Sequence, residues 1–192
     1  MSTADLLEQA VSRDLIAQAL SHPDALWEIE FGRVVEKPMS ALAVWIASRL
    51  QTLLDSEVRR LGLGHVVMEM VFILDATRDL SRRPDVAFVS KERWPLDRPL
   101  PYRGDWAVVP NLAVEIVSPH NEADQLARKR RQYFRYGVDE VWIIYPEERV
   151  VEVYDAHGIR EYTPADRLTS RLLPGLEIDL APLLPLVEPP AA

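Results

Sequence analysis

The chain has 192 residues and a formal net charge of −8, with 22 basic against 30 acidic side chains. Hydrophobic residues make up 48% of it, enough to bury one sizeable core, so we expect residues 1–192 to form a single domain. The absence of cysteine excludes disulfides, thiolate metal sites and cysteine nucleophiles. The acidic balance argues against a passive nucleic-acid binder, which needs basic surface to replace phosphate counterions.

Neither a signal peptide nor a membrane span is visible in the sequence. The N-terminus lacks a basic start followed by an apolar stretch, and no apolar run approaches the roughly 20 residues that cross a bilayer. We therefore expect a cytoplasmic protein without a membrane partner.

The first third of the chain predicts two helices and a hairpin. Residues 3–20 have apolar side chains near helical spacing, which predicts an amphipathic helix within the N-terminal segment 1–24. The segment "LWEIEFGRVVEK" alternates around Gly32 and predicts a hairpin. Residues 40–61 repeat apolar side chains at three and four and predict a helix that Ser40 caps.

Strands dominate the rest of the chain. "HVVMEMVFIL", "PDVAFVS" and "NLAVEIVS" each predict a strand, and the third is apolar enough to be buried on both faces. Residues 122–136 predict a helix that ends at Gly137, and "DEVWIIYP" predicts another buried strand.

The last part of the chain completes the sheet. "RVVEVYDAHGIREYT" predicts an edge hairpin that turns at His157 and Gly158, and residues 187–192 predict a flexible tail. A strand–helix–strand unit inside such a series indicates an α/β or α+β fold, with a mixed central sheet flanked by helices.

Two acidic residues within the apolar strands are the first candidates for chemistry. Asp85 opens the second strand and Glu115 lies inside the third. A carboxylate there is costly unless it is paired with a basic side chain or bound to a cation. If the two strands are neighbours, the two carboxylates can bind one ion. A site with oxygen ligands and no Cys or His suits Mg²⁺ or Mn²⁺. The alternatives are a turn or cap role for Asp85 and a buried ion pair with an arginine for Glu115.

Lys129 is the third candidate. On a helical wheel it falls at the edge of the apolar face, one turn before Tyr133, where its stem can be buried and its ammonium can reach the end of the sheet. The alternative is an ordinary solvated lysine. Arg130 maps nearer the middle of the same face, for which the sequence offers no reason.

The ordered set of these motifs resembles a known family. "RPDVAFVS", "PNLAVEIVSP" and the run from Lys129 through Tyr133 to "YGVDEVWIIYP" resemble the bacterial restriction-endonuclease family Uma2, within the PD-(D/E)XK nuclease superfamily. "WEIEFGRVV" is similar to that family's N-terminal hairpin and "LLPGLEIDL" to its C-terminal ending. The resemblance covers about residues 25–186.

This resemblance implies a restriction-endonuclease-like core and metal-dependent cleavage of phosphodiester bonds, with DNA as the expected substrate. Asp85 and Glu115 match the metal-binding acids, which would hold Mg²⁺ or Mn²⁺ together with the carbonyl of Ile116. The superfamily pattern places a lysine two residues after the second acid, where this chain has Val117. Lys129 matches a lysine that the family supplies from the following helix.

Further residues join this hypothesis with supporting roles. Glu28 matches an acidic position of the N-terminal hairpin, and Gln125 and Tyr133 are candidate positioning groups. A basic run predicts contacts to the nucleic-acid backbone, and its members are Arg128, Arg131 and Arg135. A homodimer is expected, since cutting both strands of a duplex is simplest with two sites.

Two other interpretations remain open on the sequence. One is a non-catalytic nucleic-acid-binding or interaction module that retains the nuclease fold. The other is a structural protein in which the acids only form buried ion pairs.

Overall fold

A computed structural model describes residues 26–37, 40–102, 105–118 and 123–186. The predicted N-terminal helix at 3–20 and the tail at 187–192 lie outside these residues. The described elements are β1 (Leu26–Glu30), β2 (Arg33–Lys37), α1 (Ala41–Leu61), β3 (Gly64–Met68), β4 (Phe72–Asp75), a 3-10 turn (Ala76–Arg78), β5 (Leu80–Arg82), β6 (Val86–Ser90), β7 (Leu112–Ile116), α2 (Ala123–Arg135), β8 (Glu140–Tyr145), β9 (Val150–Asp155), β10 (Gly158–Tyr162), β11 (Arg167–Thr169) and β12 (Glu177–Asp179).

A six-stranded mixed sheet forms the centre, in the order β10-β9-β8-β7-β6-β3. The β7–β8 pair is parallel and the other pairs are antiparallel, so β7, α2 and β8 form the predicted strand–helix–strand unit. Every residue of β7 is buried, which confirms the prediction of a strand covered on both faces. The predicted edge hairpin is confirmed as β9 and β10.

A second, four-stranded sheet has the order β2-β1-β5-β4. The predicted hairpin is confirmed as β1 and β2, which turn at Phe31 and Gly32. Leu26, Glu28 and Glu30 lie opposite Lys37, Val35 and Arg33 respectively, so Glu28, Glu30 and Lys37 lie on the same face of this hairpin. The short strands β5, β11 and β12 were not predicted.

The prediction of one strand over "HVVMEMVFIL" is wrong. The segment forms two strands in different sheets, because β3 pairs with β6 while β4 pairs with β5. The extended backbone is interrupted at Glu69, which adopts a left-handed conformation with φ of 51°. This break brings Glu69 beside the start of β6, where its backbone N–H donates to the Asp85 carbonyl at 3.3 Å.

The helices cover opposite faces of the central sheet. Helix α1 packs on one face with Phe88, Val114 and Trp142, and α2 packs on the other, where Tyr133 joins Ala113 and Ile143. Ser40 caps α1 as predicted, accepting a hydrogen bond from the Ala43 N–H at 3.1 Å. The mixed α+β fold is therefore confirmed.

Neither helix in the described part of the chain combines the length and the apolar character that crossing a bilayer requires.

Gly64 allows β3 to approach β6 closely. A Cβ atom at this position would lie 2.1 Å from the Val89 carbonyl oxygen, a contact that side-chain rotation cannot relieve. We expect Gly64→Ala to lower the free energy of unfolding by about 3 kcal/mol in chemical denaturation. Gly62→Ala is the control, since its Cβ would meet nothing within 4 Å and only the left-handed φ of 61° costs about 1 kcal/mol. Equal losses in the two variants would contradict this explanation.

Candidate active site

Glu115 lies in β7 with its carboxylate against α2. The Tyr133 hydroxyl donates to its Oε1 at 2.6 Å, and the Lys129 ammonium donates to its Oε2 at 3.3 Å. The residue is only 5% exposed. Both carboxylate oxygens therefore have partners on the helix that follows β7.

Asp85 immediately precedes β6 and continues its pairing with β7. Its backbone N–H donates to the Val114 carbonyl at 2.9 Å, and its Oδ2 accepts from the Ile116 N–H at 2.6 Å. Since Ile116 follows Glu115 in the chain, these bonds bring the two predicted acids together at the end of neighbouring strands. The other oxygen, Oδ1, lies 2.7 Å from the Lys37 ammonium.

Lys129 joins the two sheets from α2. Its stem is buried, as the helical wheel predicts, and its ammonium lies 3.0 Å from Glu28 Oε1 as well as 3.3 Å from Glu115 Oε2. The lysine therefore bridges an acid of the small sheet and an acid of the large one.

The buried charges around Glu115 form one cluster, to which Asp85, Lys37, Lys129 and Glu28 belong. Glu28 is its most enclosed acid, at 1% exposure. Its Oε2 lies 3.2 Å from Arg82 Nη1, and its Oε1 accepts from the Arg83 backbone N–H at 2.9 Å. The same Arg82 guanidinium donates to the Gln132 side-chain oxygen and lies 2.9 Å from Glu30 Oε1. Arg82 therefore ties β5 to both β1 and α2.

Several members of this cluster were missed in the sequence, namely Lys37, Glu69, Arg82, Gln132 and Glu30. The alternation "WEIE" signalled that Glu28 and Glu30 share a face of β1, and Arg82 belongs to the visible group of arginines before Asp85. Lys37 and Glu69 carried no local signal, because their partners are distant in sequence.

The site contains charged lysines and a neutral tyrosine. Burial alone would lower the pKa of Lys129, but the Glu115 and Glu28 carboxylates raise it above its ordinary value. Burial also opposes the charged form of Lys37, whose pKa is nevertheless raised by Asp85, Glu115 and Glu69. Burial and the Glu115 charge raise the pKa of Tyr133 well above its ordinary value, so its hydroxyl remains a donor.

Burial acts to raise the pKa of three glutamates in the cluster, but their pKa values do not all shift in the same direction. Burial raises the pKa of the Glu115 carboxyl, and Lys129 only partly opposes that rise. Burial also acts to raise the pKa of Glu28, but the charges of Lys129 and Arg82 hold it below its ordinary value. Burial raises the pKa of Glu69 to about 7, with Lys37 opposing. Glu28 is therefore firmly ionised at neutral pH, while Glu69 exchanges a proton there.

The remaining predicted residues lie along α2. Gln125 is half-buried, one turn before Lys129, and three arginines are exposed, namely Arg128, Arg131 and Arg135. Arg128 lies 3.8 Å from Glu30 Oε2. Arg130 turns to the other side of the helix and stacks over the Tyr154 ring at 4.1 Å, which accounts for its place on the buried face.

The donors present suit a hard divalent ion. Asp85 and Glu115 supply only oxygen, and the ammonium of Lys37 is close enough to both for each to raise its pKa. Among the described residues, no three acidic or histidine side chains are arranged to hold a metal ion. The two carboxylates therefore supply suitable ligands, and an ion bound by both would displace a lysine from at least one of them.

The comparisons with known proteins agree with this fold. The sequence model of the family described as "Uma2: Putative restriction endonuclease" matches residues 13–181. A crystal structure from Anabaena variabilis ATCC 29413, described as a putative nuclease belonging to DUF820, matches with a TM-score of 0.71 at 20% identity, over 82% of this chain and 89% of that one. No curated protein gives a significant match.

The fold is therefore that of a nuclease-like α+β protein with a large mixed sheet. The chain belongs to the Uma2 family, which confirms the resemblance seen in the sequence.

Arg82 provides a test of how the buried charges stabilise the fold. We expect Arg82→Met to lower the free energy of unfolding by about 3 kcal/mol near neutral pH, because it removes the ion-pair partner of the buried Oε2 of Glu28. The lowered pKa of Glu28 stabilises the folded state above the unfolded pKa, and this stabilisation is lost as the pH falls. Removing Arg82 raises the pKa of Glu28, so the deficit should shrink as the pH falls through the variant's higher pKa towards the lower pKa of the wild type.

Urea denaturation at several pH values measures this effect. Arg59→Met is the control, because Arg59 pairs with Asp55 on the surface of α1, where such pairs contribute less than about 1 kcal/mol. A deficit for Arg82→Met that is constant with pH would contradict the ionic explanation.

Proposed function

We propose that this protein is a metal-dependent endonuclease that hydrolyses phosphodiester bonds of nucleic acid, with DNA as its substrate. The observation that carries the proposal is that Asp85 and Glu115 lie at adjacent strand ends, with Lys129 of α2 against Glu115, in a member of the Uma2 family. In the reaction, a water oxygen bonds to phosphorus while one ester P–O bond breaks, which leaves a phosphate monoester and an alcohol.

Asp85 and Glu115, with the carbonyl of Ile116, would hold Mg²⁺ or Mn²⁺. When bound, the ion would polarise the scissile phosphate and lower the pKa of a water molecule. The hydrogen bond from the Ile116 backbone N–H to Asp85 Oδ2 fixes that carboxylate relative to β7. The hydrogen bond from Tyr133 fixes Glu115 in the same way, so Tyr133 is a positioning residue.

Lys129 would orient the attacking water and stabilise negative charge on the phosphate. Glu28 supports this role, because its carboxylate holds the ammonium at 3.0 Å and keeps the lysine charged. Gln125, one turn earlier on α2, is a further candidate for positioning the substrate.

The exposed arginines of α2 would contact the nucleic-acid backbone. Arg128, Arg131 and Arg135 lie on the solvent side of the helix that carries Lys129. Such contacts fix the position of a duplex without reading its sequence. We further propose that residues 1–192 act as one domain, in a cytoplasmic homodimer whose two sites cut the two strands.

A second candidate function has its own supporting observation. All four oxygens of Asp85 and Glu115 have protein partners, two of them lysines. A cluster that is satisfied in this way also suits a non-catalytic nucleic-acid-binding or interaction module. Cleavage separates the two functions directly.

The assay compares labelled single- and double-stranded DNA and RNA in Mn²⁺, Mg²⁺ or EDTA, and we expect duplex DNA to be cut with either ion and not in EDTA. Glu115→Gln and Lys129→Met should each lower the cleavage rate by at least about a hundredfold. The first removes a metal ligand, and the second removes the positive charge that stabilises the phosphate.

The matched controls are Glu140→Gln and Lys91→Met. Glu140 is a buried carboxylate held by Trp142 and Ser170, away from the cluster, and Lys91 is an exposed lysine. Both should retain cleavage. Absence of cleavage under every condition would favour the non-catalytic module, and cleavage unaffected by Glu115→Gln would discard the assignment of Glu115 to the active site.

A further inference from the structure

Lys37 is a second buried lysine in the cluster, and the proposed reaction gives it no role. Its ammonium lies 2.7 Å from Asp85 Oδ1, and 3.2 Å and 3.1 Å from the two oxygens of Glu69. Its side chain is 5% exposed. A charged group enclosed to this degree needs a carboxylate partner at all times.

This ammonium occupies the side of Asp85 on which a metal ion would bind. The hydrogen bond from the Ile116 N–H ties Oδ2 of Asp85 to β7, and Lys37 contacts Oδ1, so an ion bound through Oδ1 would have to share that oxygen with the ammonium. A divalent ion on Oδ1 would lie within a few ångströms of the ammonium, where like charges in a poorly solvated site repel strongly. The ion and Lys37 therefore compete for one oxygen.

Glu69 provides an alternative partner for the displaced ammonium. Its side chain is 25% exposed, so a shift of Lys37 towards it moves positive charge towards solvent. The left-handed backbone of Glu69 and its N–H bond to the Asp85 carbonyl hold it beside Asp85. Strained conformations of this kind are concentrated at functional sites.

We propose that Lys37 is the resident counter-ion of Asp85 and sets the metal affinity of the site, moving fully onto Glu69 when a divalent ion binds. This inference rests on the proposed function, in which Asp85 is a metal ligand. Lys129 has the same kind of second partner in Glu28, but Lys37 differs because it contacts an acid that reaches the surface.

Isothermal titration with MnCl₂ at about pH 8, well above the ordinary pKa of a carboxyl group, tests the inference without substrate. We expect Lys37→Met to bind Mn²⁺ at least about tenfold more tightly than the wild type, because a repelling charge is removed. Glu69→Gln should bind severalfold more weakly, since Lys37 then keeps Asp85. In the Lys37→Met background, Glu69→Gln should have no effect. Lys91→Met is the control and should match the wild type.

Thermal unfolding provides a second measurement. In EDTA, Lys37→Met should melt below the wild type because Asp85 loses its counter-ion, and added Mn²⁺ should close that gap. If Lys37→Met does not fold, Glu69→Gln alone decides, and unchanged or tighter Mn²⁺ binding by it overturns the inference.

The outcomes separate this inference from the proposed function. Wild-type binding that Lys37→Met leaves unchanged or weakens overturns the role of Lys37 and retains the metal site. An equal loss from Glu69→Gln in both backgrounds would make Glu69 itself a ligand and also overturn it. No Mn²⁺ binding by either the wild type or Lys37→Met overturns the proposed function and this inference together.

Discussion

The pairing of buried charges between the two sheets and α2 is the constraint on which the rest of the structure depends. Within this charged cluster, three acids and three basic residues lie at 7% exposure or less, namely Glu28, Asp85, Glu115, Lys37, Arg82 and Lys129. Removing the partner of any of these charges would lower the free energy of unfolding by roughly 3 to 5 kcal/mol. That is a large fraction of the total stability of a typical domain. Because the partners come from different layers, the cluster exists only when the large sheet, the small sheet and α2 have assembled.

Each lysine of the cluster bridges two acids. Lys129 links Glu115 to Glu28, and Lys37 links Asp85 to Glu69. This arrangement holds the acids of the large sheet in position before any ion or substrate arrives, which favours catalysis. It also satisfies those acids with protein charges alone, as a purely structural cluster would. The two functions therefore differ in whether a divalent ion can replace an ammonium.

The three main residues of the candidate site could be singled out from the sequence because each stands out from its local pattern. Asp85 and Glu115 interrupt apolar strands, and Lys129 lies at the edge of an apolar helix face. Lys37 and Glu69 were not predictable, since Lys37 closes an ordinary hairpin strand and meets partners far along the chain.

The fold was predictable to a similar degree. The hairpin β1–β2, both described helices and the buried strands β7 and β8 follow from apolar spacing and turn residues. The division between β3 and β4 was missed because the apolar pattern of "HVVMEMVFIL" continues through the break, and only backbone geometry at Glu69 reveals it. That undetected break is also what places Glu69 beside Asp85.

A crystal structure of the protein grown with MnCl₂, with anomalous scattering recorded at the manganese edge, tests the central claim most directly. The account predicts an anomalous peak within about 2.3 Å of carboxylate oxygens from both Asp85 and Glu115. Absence of a peak between those two carboxylates, with Lys37 still on Asp85 and Lys129 still on Glu115, would contradict it and leave the cluster a set of buried ion pairs.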